Sequence, residues 1–438
     1  MPKVRWYQNI LIIFCFFVYF FPFKAYGFDP RLLVFLFFFI YMIKDGLLLN
    51  RKVKCRYIKT LFYPVLMSLF TVLSSVVNTI TENTFIIFPF QVIYLLLLSY
   101  CIYYITKRFC KVISFYVITR YFLMTLVVQS VIAIVMFVNQ PICLFLFDLQ
   151  GIDLTSRVIK MYFGVRLIGL GCFYFGAGAI YGLGLIAIMP FMLKAKNKQQ
   201  LIKLILLYVY IFIVGIFFAR TAMIGCVFSI VYLIFCILIP KMCNKVFLVF
   251  RQFIIYLTVF GIALVFIYTS SPKLQEDYGD IIDFGFEAFI NLVENGELST
   301  ASSDGLTEYH LSIWPQNQKT YYIGDMRWTK GDSYYGDSDV GYVRLLFYFG
   351  VPGVILFLLY QYSIVRISGL IFKERILSFF FFTVFFYALI LLIKGYIDVA
   401  SLIFIYLHYK SLDSKYENRR RRRVGCLSSI VKFRQIEE

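Results

Sequence analysis

Apolar runs of about 20 residues, the length at which a helix crosses a bilayer core, recur from one end of the chain almost to the other. A backbone in lipid finds no water to bond with, so only helices or closed barrels span a membrane. Barrel strands alternate over about ten residues; these runs are longer and solidly apolar. The expected class is therefore an all-α polytopic membrane protein. Twelve spans are predicted, at roughly 8–23, 31–49, 60–79, 85–106, 118–138, 167–193, 201–219, 222–239, 252–269, 340–365, 376–393 and 396–409. A composition that is 61% hydrophobic and only 15% charged excludes a soluble fold.

Basic residues set the orientation, because cytoplasmic loops carry the excess. With both ends in the cytoplasm, the inner side holds 31 of the 43 Lys and Arg. The motif Ala25-Tyr26-Gly27 loosely resembles a signal cleavage site, but Lys24 and the bulky aromatics before it argue for a retained span. The arginine run 419–423 lies in a basic cytoplasmic tail, 410–438, and reads as an anchor near anionic lipid. No domain accompanies it that would make nucleic acid the partner.

One long polar stretch interrupts the hydrocarbon, at 270–338, between spans nine and ten. It holds twelve Asp or Glu against four Lys or Arg, in a chain whose formal charge is +19. The topology puts it outside the cytoplasm, as an acidic cap embedded in a single membrane domain, 1–438. Within it, 281–298 spaces Ile282, Phe286, Phe289, Ile290 and Val293 as a helix face; 299–339 reads as ordered loop. None of the ten cysteines falls in the cap, and two histidines, His310 and His408, are too few for a histidine-based metal centre. Neither a metal nor a cofactor is expected.

The outer-face cations carry the chemistry. Arg157 and Arg166 precede span six, Arg220 sits in the turn between spans seven and eight, and Arg344 lies inside span ten. Lys394 joins the last two spans on the same side. A buried arginine costs roughly 2.5–3.5 kcal/mol on insertion scales, so one inside a span needs a polar cavity or a partner. Guanidinium forks grip phosphate oxygens bidentately, and such a set would suit a diphosphate leaving group. Snorkelling to headgroups is the alternative. Asp337 and Asp339 could serve as general base toward a hydroxyl or simply cap the next helix. Trp314, Trp328, Tyr334 and Tyr335 offer flat faces beside carboxylates, which suits sugar rings as well as an interfacial belt. The glycine-dense stretch 164–184 reads as close helix packing.

Three motifs resemble the O-antigen polymerase (Wzy-type) family of bacterial surface-polysaccharide assembly. They are Phe218-Ala219-Arg220-Thr221-Ala222-Met223-Ile224-Gly225, the late outer loop, and Asp339-Val340-Gly341-Tyr342-Val343-Arg344 with Gly350-Val351-Pro352-Gly353 behind it. The layout is similar over nearly the whole chain. The resemblance implies a GT-C-like glycosyltransferase at the periplasmic face of the inner membrane. It would transfer glycan from undecaprenyl diphosphate onto an undecaprenyl-diphosphate-linked repeat unit. It further implies that Arg220 and Arg344, with Arg166 as a weaker match, hold diphosphate, and that a chain-length regulator is a partner beside membrane lipid. The segment 332–339 has no histidine where related O-antigen ligases carry one, which favours polymerase. An O-antigen ligase and a lipid-linked oligosaccharide flippase are the competing readings.

Overall fold

A computed structural model describes residues 4–44, 55–80, 82, 84–110, 112–152, 165–172, 174–240, 242–297, 299–330 and 333–409. The order is α1 Trp6–Phe20, α2 Arg31–Lys44, α3 Cys55–Asn78, α4 Phe88–Phe109, α5 Phe115–Val138 and α6 Gln140–Gln150. There follow α7 Tyr174–Lys194, α8 Lys198–Phe218, α9 Ala222–Ile237 and α10 Cys243–Thr269. The polar stretch forms α11 Pro272–Asn295, α12 Ala301–Glu308, α13 Gln318–Ile323 and a hairpin of β1 Thr329–Lys330 with β2 Ser333–Tyr334. Last come α14 Gly341–Ile371, α15 Arg375–Lys394 and the short α16 Val399–Leu402 and α17 Phe404–Leu407. Among the described residues, seven helices (α3–α5, α7, α8, α14 and α15) are long and apolar enough to cross a membrane; α1, α2 and α9 are apolar but shorter. The protein is a helical, polytopic membrane chain at that level.

Helix α7 is the core, buried on nearly every face. Its glycines explain how. A Cβ at Gly178 would sit 2.8 Å from that of Ala219, and one at Gly225 of α9 would sit 2.5 Å from the carbonyl oxygen of Gly182. Lipid tails give helices no hydrophobic reason to associate, so small residues that allow backbone approach supply the packing. Non-helical backbone at 165–172 replaces the first turns of the predicted sixth span.

Two further departures from the sequence reading have visible causes. The run 396–409, expected as one span, is two four-residue helices. Asp398 starts the first of them, accepting from the Ser401 amide (3.2 Å), from Gln361 Nε2 (2.7 Å) and from the Tyr360 hydroxyl (3.0 Å). Gln361 Oε1 in turn accepts from the Ala400 amide at 2.9 Å. Asp398→Ala strips partners from Gln361, Tyr360 and Ser401 together, at about 1–3 kcal/mol for each buried group left unsatisfied. A total loss of about 2–4 kcal/mol is expected in denaturant titrations of the purified protein, and Asp398→Asn should lose clearly less. Equal stability of Asp398→Ala and the unmodified chain would contradict this role.

The segment 299–339, expected as loop, instead holds two helices, the His310–Ser312 turn and the hairpin. It is fastened to a break in α14. Gly350 has φ +68°, and a Cβ there would lie 2.6 Å from the Tyr321 carbonyl oxygen. Pro352 has no N–H to return to Tyr348. The carbonyls freed by the break accept from the cap: Phe347 O from the Asp325 amide (2.6 Å) and Tyr348 O from that of Met326 (3.3 Å). Irregular backbone in a span is tolerated when protein satisfies it, and here the same bonds fix the cap.

Candidate functional site

Each arginine is placed by its backbone. The Leu167 amide donates to Phe217 O (2.9 Å), which ties Arg166 to the end of α8 and so to the α8–α9 turn holding Arg220. Both guanidiniums lie over the ring of Phe284 on α11, at 4.1 and 4.7 Å from its centroid. Arg220 also donates to Glu287 of the same helix in an ion pair. At the start of α14, a Cβ on Gly341 would meet the carbonyl oxygens of Gly395 (2.7 Å) and Leu392 (2.9 Å). That close approach sets Arg344 and Asp339 beside the end of α15, where Lys394 stands.

Arg344 is in the first turns of α14 and only 8% exposed. Its guanidinium lies 4.0 Å from the centroid of Trp328 and 3.6 Å from that of Tyr334. The hairpin presents these plates, with Thr329 opposite Tyr334 and the Tyr335 amide donating to Trp328 O (3.2 Å). From the other side, Glu82 in the α3–α4 connection accepts from the Trp328 amide at 2.7 Å. Cation–π contact supports the charge at about 0.5–2 kcal/mol per ring, yet it leaves donors unused. The Nε of Arg344 is buried with no acceptor among the described residues.

Electrostatics joins the two groups. Arg220, Asp339 and Arg166 are the charges acting on Lys394, and Asp339, with Tyr334 and Tyr396, acts on Arg344. Lys394 thus links the Arg166–Arg220 pair to Asp339, an exposed carboxylate that also acts on Arg344. A polyanion with several oxygens matches this arrangement.

The other predicted residues divide. Asp337 is exposed and takes a left-handed φ of +52° in the turn after β2. Trp328 and Tyr334 each spend one ring face on Arg344, which leaves less for a sugar than two open platforms would. Tyr335 serves the cap: its hydroxyl donates to Asp325 (3.1 Å), which also accepts from Thr320 (2.6 Å). Burial, and then the Asp325 carboxylate, push that phenol above its usual pKa. Trp314 is 58% exposed, beyond the His310–Ser312 turn. Arg157 and the tail 410–438 lie outside the described residues.

Sequence reasoning missed Phe284 and Glu287 as partners of the arginines, and Glu82 as a support of Trp328. No local signal marks contacts across 67 or 246 residues. Among the described residues, no group of three or more His, Cys, Asp or Glu could hold a metal ion. An apolar groove of about 740 Å³ opens beside the α14 break, lined by Tyr321, Tyr322, Val351, Pro352, Ile355 and Leu356 and by none of the cluster's residues. No family model, curated protein or solved structure matches this chain.

Proposed function

We propose that the chain is a glycosyltransferase of the O-antigen polymerase (Wzy) type, acting on undecaprenyl-diphosphate-linked glycan. In this reading it makes twelve crossings of the bacterial inner membrane in a GT-C-like arrangement, the broken segment 396–409 being the last. Both termini are cytoplasmic and the cap end is periplasmic. The observation that carries the reading is the chain of cations in which Arg166 and Arg220 share the Phe284 ring and act on Lys394, while Lys394 and Arg344 share Asp339.

The acceptor sugar's hydroxyl oxygen attacks the anomeric carbon of the donor glycan. As that C–O bond forms, the bond from carbon to the carrier diphosphate breaks, and its electron pair stays on the phosphate oxygen. Arg166, Arg220 and Arg344 hold the diphosphate and stabilise this charge. The acceptor's proton passes to a carboxylate, Asp339 being better placed than Asp337. Trp314, Trp328, Tyr334 and Tyr335 flank the glycan. Membrane lipid surrounds the bundle, and a chain-length regulator is the expected protein partner.

A clean deletion should leave surface lipid capped with single repeat units and no long chains, seen as a collapsed ladder on a gel. Long chains that persist would refute the reading. Polymer that accumulates on its carrier without reaching surface lipid would point to a ligase.

A further inference from the structure

Helix α11 covers the Arg166–Arg220 pair, and it is seated closely. Ile281 is buried. A Cβ on Gly285 would lie 2.8 Å from the Phe217 ring and 3.2 Å from Ile216, so only glycine lets the helix sit this low. Phe286 meets Phe217 edge-on at 6.2 Å. Phe284 and Glu287 are three residues apart and share a helix face; the first lies under both guanidiniums, and the second ion-pairs with Arg220. The other oxygen of Glu287 accepts from the Ala301 amide at 2.7 Å, at the start of α12. One carboxylate therefore fastens both α11 and α12 to the cations.

We propose that α11 is a lid, and that Glu287 holds on Arg220 the place of a phosphate oxygen, which an incoming diphosphate takes over. The inference rests on the reading of Arg220 as a diphosphate ligand. A carboxylate on a guanidinium uses the same fork that a phosphate uses. A diphosphate brings more charge and more oxygens, enough for Arg166 and Lys394 as well, so it wins the exchange. Losing Glu287 from Arg220 frees α11 and α12 together. The resident carboxylate keeps the site closed and lowers apparent affinity until such an anion arrives.

The test uses the full chain in lipid nanodiscs, with inorganic pyrophosphate as probe. Two readouts are independent. Glu287→Gln removes the competing charge while keeping the side chain's shape, and calorimetry should show about tenfold tighter pyrophosphate binding, the scale of a competitor that occupies the site about 90% of the time. Ile281→Cys places a thiol under the lid, and saturating pyrophosphate should speed its maleimide labelling several-fold, read by peptide mass spectrometry. If the protein binds pyrophosphate but labelling does not change, or Glu287→Gln gains no affinity, the lid is overturned and the diphosphate site stands. If neither the unmodified chain nor Glu287→Gln binds pyrophosphate, both fall.

Discussion

Arg344→Ala will abolish polymer while the protein accumulates close to normal levels. The guanidinium is pressed between Trp328 and Tyr334, and its buried Nε has no acceptor among the described residues. A group so placed adds little to folding, because desolvation offsets most of what the rings return. That Nε–H is spare for a ligand. Loss of one pre-placed donor to a developing oxyanion costs about 10²–10³-fold in turnover, enough to erase a ladder. Arg344→Lys should recover less than about a tenth of the activity, since an ammonium neither stacks flat nor grips bidentately. Carrier-linked product made in membranes from each variant is the measurement. A normal ladder from Arg344→Ala would remove this residue from the chemistry.

Gly225→Val will deplete the folded protein itself. The new side chain would be driven into the backbone of Gly182, whose carbonyl carbon would lie 2.6 Å from its Cβ. Backbone in a packed helix cannot swing aside as a side chain can, and even ordinary overpacking costs about 1–3 kcal/mol. At a seam that depends on close approach, the penalty should exceed that range. Size-exclusion profiles should show aggregate in place of a single peak, with Gly225→Ala intermediate. Arg220 lies five residues upstream, so any surviving protein should also lose polymerising activity. A monodisperse Gly225→Val protein with full activity would contradict the packing account.

How much of this was legible beforehand depends on the range of the interaction. Long apolar runs must become helices in lipid, so α3, α4, α5, α8 and α15 follow from the sequence to within a few residues. The α11 periodicity was visible because a 3.6-residue repeat is a local property. The broken run 396–409 was not, since its hydropathy matches that of a span and only the distant Tyr360 and Gln361 favour a helix start at Asp398. The same holds at the site. Arginines in apolar surroundings announce themselves one by one, but sequence says nothing of Phe284 under two of them or of Glu287 on one. Trp328 and Tyr334 were conspicuous as aromatics, while their role as plates for Arg344 needed the hairpin fastened at the Gly350 break.

The central claim is that converging cations hold a diphosphate while a new glycosidic bond forms. The direct measurement is reconstitution of the purified protein in liposomes with undecaprenyl-diphosphate-linked repeat units alone. The account predicts dimers and longer glycans, with one free undecaprenyl diphosphate released per bond made. Repeat units that cross the bilayer unjoined, with no carrier released, would contradict it.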